Sequence, residues 1–391
     1  MGLKAIKRHL LIQWLSAFFL LLPATSFAQS PVVGAFNATP DEWLLSSGQS
    51  WHYHTRAAQT AQELISREPS VQEIPIIEKA KSLLANSSAK SMALVDGNNI
   101  VWVGYKSPAS DTSRFLSNSV GKTVTSMGIG KAICSGKFAL NSIAGDIVPE
   151  LKDTDLGKAN VRDLLMMSSG TWIGNKDSTV MNADQDFAIR RGKMSWLDLL
   201  AIPKISDAEI GPSGEKRKPG ESFVYRSTDP LLLGVIINKT TGTTYAKWIE
   251  KEVLIPAGIK QFAIIGQDWS EYGNADGNVR MTMEDWIRLA LWVKTNEVKQ
   301  DCFGNYVREA SKTQIKNVSK ITGQYFDGYG YLTWTENRLL KDSYWAVGYG
   351  GQRIGWNHQN KRMLVAFSNV ENYMDKLYGL YAEWAALPSK D

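Results

Sequence analysis

Ser119 and Lys122 stand three positions apart in the run 114–128, Arg-Phe-Leu-Ser-Asn-Ser-Val-Gly-Lys-Thr-Val-Thr-Ser-Met-Gly. On a helix, side chains at i and i+3 share one face, a turn apart. A hydroxyl held beside an amine is a nucleophile beside a base, with no histidine required. A free lysine amine titrates near about 10.4, so a lysine base at neutral pH needs a drop of about three units, on the order of 4 kcal/mol. Burial at a helix start supplies low dielectric and a positive dipole. The same helix start offers the Ser119 backbone N–H to a developing oxyanion. Serine is also a frequent helix cap, so the pair gains meaning from what accompanies it.

Two further clusters carry chemistry. Residues 218–227, Lys-Pro-Gly-Glu-Ser-Phe-Val-Tyr-Arg-Ser, place Tyr225 on a short extended run before a helix. A phenol beside a lysine can relay a proton. Ser227, two positions on, faces the same side if the segment is extended. Residues 345–353, Trp-Ala-Val-Gly-Tyr-Gly-Gly-Gln-Arg, set Gly350 and Gly351 at the start of a strand. Successive glycines let a ligand approach the backbone, and the Gln352 N–H then becomes a second oxyanion donor.

Other chemistries fit poorly. Gly121-Lys122-Thr123 looks like the end of a phosphate-binding loop, but Leu116 stands where that motif needs glycine. No G-x-S-x-G elbow surrounds Ser119. Beyond the first 28 residues the histidines are His52, His54 and His358, with no metal-ligand spacing. No metal or cofactor is expected. Cys134 and Cys302 are too few for a structural zinc site; a single disulfide and two buried thiols both remain open.

The elements that must position these residues can be read coarsely. Residues 75–86 form an amphipathic helix, with Pro75 in its first turn. Residues 91–95 and 100–105 form a hairpin across Asp96-Gly97-Asn98-Asn99. A glycine-rich helix spans about 119–135, and its glycines are tolerable where other backbone passes close. Helices are expected at 162–167, 230–239, 245–253 and 283–294. Strands are expected at 325–335, 344–347, 352–356 and 363–368, and a final helix at 371–386. Strands at both ends with helices between them imply an α+β fold, an antiparallel sheet flanked by helices with an inserted, mostly helical lobe. The lobe boundary leaves a cleft. Trp172, Tyr329, Trp334, Tyr349 and Trp356 either line that cleft or pack the core. The Asn/Asp-rich stretch 175–186 is a solvated loop or a source of a carboxylate for a cationic substrate.

The chain has 391 residues and a formal charge of +5. Residues 1–28 read as a signal peptide cleaved after about Ala28, with Lys4, Lys7 and Arg8 before an apolar run and Ser26-Phe27-Ala28 at its end. Their removal takes away three basic residues and no acidic ones, leaving +2. No basic block suggests nucleic acid, and no membrane span is expected after cleavage. The expected location is periplasmic or secreted. Residues 29–75 read as an extension packing on the main body. The body spans 76–391, with a sheet lobe at about 76–120 and 290–391 and a helical lobe at about 121–289.

Taken in order, the three motifs resemble the serine β-lactamase and penicillin-binding-protein superfamily. The chain looks most like its class C branch, which includes esterases and 6-aminohexanoate-dimer (nylon oligomer) hydrolases. Flanking segments at 161–170, 233–245, 279–288 and 329–334 are similar as well. The resemblance implies a β-lactamase/transpeptidase-like fold. It implies Ser119 as acylated nucleophile, Lys122 as its base and Tyr225 as proton shuttle, with the N–H groups of Ser119 and Gln352 as oxyanion hole. Ser227, Trp172, Tyr349, Gly350 and Gly351 are the candidate substrate-binding residues. Two positions depart from the family pattern. Ser227 stands where asparagine is frequent, and Tyr349 where penicillin-recognising members carry lysine or histidine. A phenol brings no positive charge to a substrate carboxylate, which argues for a small ester or linear amide over a β-lactam. A β-lactamase, a D-amino-acid peptidase and a non-catalytic muropeptide binder are the alternative readings.

Overall fold

The computed structural model describes residues 51–171, 183–211, 213–318 and 324–389. The leader expected at 1–28, Trp172 and most of the 175–186 stretch lie outside them. Among the described residues two sheets form. The larger has strand order β2-β4-β3-β13-β12-β11-β10-β9-β8, and the smaller β1-β6-β7-β5. The strands are β1 His52–His54, β2 Ile65–Ser66, β3 Ala89–Asp96, β4 Asn99–Tyr105, β5 Arg114–Leu116, β6 Ile264–Gly266, β7 Val279–Thr282, β8 Ile315–Lys316, β9 Phe326–Tyr329, β10 Trp334–Asn337, β11 Leu340–Gly348, β12 Gln352–Asn357 and β13 Arg362–Ser368. The longer helices are α1 Ile74–Asn86, α2 Gly121–Cys134, α3 Thr228–Thr241, α4 Met283–Glu297, α5 Cys302–Ala310 and α6 Met374–Ala386.

An early and a late strand meet in the large sheet. The β3–β4 hairpin turns at Gly97, whose φ is +57°, and β3 pairs antiparallel with β13 from Ala89↔Ser368 to Asp96↔Arg362. Every residue of β13 is buried, which explains its unbroken apolar run Met363–Phe367: helices cover both faces. On one face Trp384 of α6 donates to the Val95 carbonyl at 3.2 Å. On the other, Trp356 of β12 donates to the Ala290 carbonyl of α4 at 2.9 Å. Trp356 is thus core, as are Tyr329 and Trp334, all under 5% exposed. Of the aromatics considered for a cleft lining, Tyr349 alone among the described residues is exposed, at 70%.

Several expected elements differ in detail. The strand expected at 325–335 is two, β9 and β10, folded on each other with Tyr329 opposite Trp334. Leu332 makes the turn with φ of +53°, a backbone state no glycine announces in the sequence. The helix expected at 245–253 changes at Ile249 to a wider-wound turn over Glu250–Leu254. In α2, a Cβ on Gly130 would come within 2.4 Å of the Tyr306 ring, so an aromatic side chain rather than backbone fills the gap there. The small sheet has no counterpart in the sequence reading. It takes β1 from the segment before residue 75, and His54 stacks there on Phe262 at 5.5 Å. β2 adds the same segment to the edge of the large sheet, parallel to β4.

A buried ion network closes that edge. Arg67 donates to Glu73 at 2.7 and 2.8 Å and to Asp96 at 2.9 Å, and Arg362 reaches Glu73 at 2.9 Å. Burial alone pushes the Glu73 carboxyl up, but hydrogen bonds from Arg67, Ser70 and Arg362 outweigh it and hold it well below the usual carboxylate range. The folded state therefore binds this proton less readily than the unfolded chain. Its stabilising contribution is complete above about pH 5 and is lost as pH falls through and below the usual range. Urea midpoints of the wild type are expected to fall between pH 6 and pH 3 more steeply than those of Glu73→Gln. Equal slopes would remove Glu73 from the account.

Candidate active site

β5 of the small sheet delivers the chain to the site. Leu116 pairs with Arg280 of β7, and the next residue, Ser117, bonds twice to the Val279 backbone: its N–H donates to the Val279 carbonyl at 2.8 Å, and its side-chain Oγ accepts from the Val279 N–H at 2.9 Å. Asn118 then takes φ of +44°, a left-handed state that asparagine tolerates better than most residues. A tight turn over Asn118–Val120 follows and runs directly into α2. The helix expected from 119 thus begins as this turn, with Ser119 at its centre. Two contacts pin it. Asn118 Nδ2 donates to the Tyr349 carbonyl at 2.7 Å, and the Asn118 carbonyl presses on Gly277, where a Cβ would approach to 2.5 Å.

Lys122 lies one turn into α2, with a side chain only 3% exposed, while Ser119 is half-buried. Lys122 Nζ donates to Ser119 Oγ at 2.9 Å and to the Asp276 backbone carbonyl at 2.6 Å. Its nitrogen also sits 5.1 Å from the centre of the Tyr225 ring, within cation–π range. The structure therefore brings Tyr225 to Ser119 and Lys122, although it stands more than 100 positions further along the chain.

Tyr225 is held by its surroundings. Its ring stacks on Trp334 at 5.2 Å and meets Tyr329 edge-on at 6.3 Å. Burial pushes the Tyr329 phenol well above its ordinary range, so it stays neutral behind Tyr225. Beneath, Val224 donates to the Met167 carbonyl at 2.9 Å. Arg226 is fully buried and donates to Val224 O at 3.0 Å, Ser169 Oγ at 3.3 Å and Thr171 Oγ1 at 3.1 Å. Ser169 Oγ in turn donates to Asp229 at 2.6 Å. These contacts tie the Tyr225 segment to the 161–170 segment. Ser227 departs from expectation: it caps α3 with φ of −89° and ψ of −23°, not extended, so sharing a side with Tyr225 by strand alternation does not apply.

The glycine pair has its physical reason. Gly350 and Gly351 have φ of +82° and +97°, and a Cβ on Gly351 would come 2.9 Å from Ser368 Cβ. Gln352 follows, buried, with Nε2 donating to the carbonyls of Tyr349 at 3.0 Å and Ser368 at 2.8 Å, while its Oε1 accepts from the Ser368 N–H at 3.0 Å. Its side chain staples the start of β12 to the end of β13. Gly348 lies against the Ser117 carbonyl, where a Cβ would reach 2.4 Å, so the β11–β12 turn packs on the Ser119 turn. Sequence reasoning missed Asn118, Asp276 and Gly277. The asparagine before Ser119 is a weak signal for a left-handed residue; Asp276 acts through a carbonyl, which every residue has.

The chain is similar to solved structures across most of its length. The match to a putative 6-aminohexanoate-dimer hydrolase from Bacillus anthracis has a TM-score of 0.65 at 17% identity, covering 89% of this chain and 94% of that one. A D-stereospecific amidohydrolase from a Streptomyces species matches with a TM-score of 0.61 at 16% identity, covering 82% and 100%. A hydrolase with promiscuous acyltransferase activity matches with a TM-score of 0.60 at 12% identity, covering 80% and 99%. No curated protein matches the sequence. A beta-lactamase family model matches residues 78–387, a span that holds Ser119, Lys122, Tyr225 and the Gly350-Gly351-Gln352 turn, and the chain belongs to the beta-lactamase family.

Proposed function

We propose that this chain is an exported serine hydrolase that cleaves a small ester or linear amide through an acyl-enzyme on Ser119. The observation that carries the reading is the 2.9 Å hydrogen bond between Lys122 Nζ and Ser119 Oγ, made by a buried lysine. In the attacking state the amine is unprotonated and accepts the Ser119 proton as Oγ adds to the scissile carbonyl. The N–H groups of Ser119 and Gln352 receive the oxyanion. Tyr225, beside Lys122, passes a proton to the leaving group as the tetrahedral species collapses to the Ser119 ester. Water then attacks the ester and regenerates the hydroxyl. Tyr225→Phe keeps the ring packing on Trp334 and removes the proton, so kcat is expected to fall about 10²–10⁴-fold with little change in melting temperature. A loss below threefold would take Tyr225 out of the proton path.

Three observations support the finer parts. Cys134 and Cys302 are joined in a disulfide, the bond that persists in oxidising compartments, which favours export. No helix among the described residues is long and apolar enough to cross a membrane. Tyr349 presents an exposed phenol where a cation would stand, which favours an ester or amide over a β-lactam. A panel of chromogenic esters, linear amides, D-amino-acid peptides and nitrocefin tests this. Turnover of esters or linear amides well above nitrocefin is expected. Nitrocefin turnover matching a dedicated β-lactamase would overturn the substrate reading.

A further inference from the structure

Asp276 meets Lys122 twice. Its backbone carbonyl accepts the 2.6 Å hydrogen bond, and its carboxylate Oδ2 lies 3.9 Å from the same nitrogen. The second contact is beyond hydrogen-bond reach. The carbonyl therefore holds the lysine, and the carboxylate is left for something else. No hydrogen bond from a described residue reaches that carboxylate, and the side chain keeps 24% exposure where that of Lys122 keeps 3%. It therefore sits at the wet side of the base, one lysine head away from Ser119 Oγ.

Among the described residues no ion pair besides that with Lys122 reaches it, and the buried arginines of the site segments are engaged elsewhere. Arg226 is buried and turned to Val224, Ser169 and Thr171. Arg353 is buried and turned to Tyr378 and the Gly348 and Gln352 carbonyls. Tyr349 brings a phenol and no cationic group. When Lys122 is unprotonated, as a base must be to take the Ser119 proton, no other ion pair from a described residue answers the Asp276 carboxylate. A cation supplied by the substrate fills that role, and a substrate anion is repelled by it.

We infer that Asp276 is a specificity-determining residue whose carboxylate selects substrates carrying an ammonium group near the scissile carbonyl and disfavours those carrying a carboxylate. This rests on the proposed acyl transfer at Ser119 and names its substrate class. The Asp/Asn-rich stretch at 175–186 was the sequence's candidate for such a carboxylate; Asp276 supplies one from the loop between β6 and β7.

The test uses p-nitrophenyl esters of one acyl chain capped by trimethylammonium, by the isosteric tert-butyl group, or by carboxylate, each made in two chain lengths. For the wild type, kcat/KM is expected to rank cationic above neutral above anionic, with a cationic-to-neutral ratio on the order of tenfold or more that shrinks with added salt. Asp276→Asn is expected to bring that ratio to about one, and Asp276→Glu to keep most of it. The ratio cancels any general loss from disturbing the loop that holds Lys122, so a merely structural role would leave it unmoved. Neutral-ester turnover through Ser119 with no charge ranking, or a ranking that survives in Asp276→Asn, would overturn the inference alone. Absence of turnover on all three esters together with absence of Ser119 acylation would instead overturn the proposed function beneath it.

Discussion

Lys122→Ala is expected to abolish acylation of Ser119 and to lower kcat/KM for a good ester by about 10³-fold or more, leaving the fold in place. The size follows from two losses at once. The base is gone, and general-base assistance is worth roughly 10²–10⁴-fold. The hydrogen bond that fixes Ser119 Oγ at 2.9 Å is gone too, so the hydroxyl samples other rotamers. Stability should change little, because the hydrogen-bond partners lost are one hydroxyl and one carbonyl, and the Asp276 carboxylate at 3.9 Å keeps solvent access. Ser119→Ala should cost as much or more, and the double variant no more than the worse single, since the two act as one unit. Stopped assays with a melting curve for each variant check this. Full activity in Lys122→Ala would show that Ser119 is deprotonated by another group.

Removing the disulfide is expected to cost about 3–5 kcal/mol of stability without a comparable loss of activity at 25 °C. Cys134 ends α2 and Cys302 begins α5, 168 positions later. A cross-link over so long a loop removes much of the unfolded chain's freedom; the entropic estimate for such lengths is roughly 5 kcal/mol. Ser119 sits before the opposite end of α2, away from the bond. The Cys134→Ser/Cys302→Ser double variant should therefore show a lower urea midpoint and near-normal kcat. Unchanged stability, or two titratable thiols in the native wild type, would contradict the bridge.

Much of the candidate site was legible because the chemistry proposed for it needs particular side chains at fixed local spacing. Ser119 and Lys122 are one turn apart, and the glycines before Gln352 announce a backbone that only glycine adopts easily. The hairpin of β3 and β4 was legible for the same reason: β-prone runs flank a turn that carries glycine. The small sheet was not, because its strands are three or four residues long, as in Arg114–Leu116 and Ile264–Gly266, too short to show alternation. The break between β9 and β10 depends on Leu332 at positive φ, which packing imposes against local preference. The aromatic residues misled in part: Trp334 and Tyr329 lie near the site but beneath Tyr225, where they orient it instead of lining a cleft. Asp276 was illegible because its link to Lys122 spans 154 positions and runs through a carbonyl.

The central claim is that Ser119, activated by Lys122, becomes the acylated residue. Incubating the native protein with a fluorophosphonate and locating the adduct by peptide mass spectrometry tests it most directly. The account predicts one adduct, on the peptide holding Ser119, absent in Ser119→Ala and strongly slowed in Lys122→Ala. An adduct on another serine, or no adduct under conditions that label a control serine hydrolase, would contradict it.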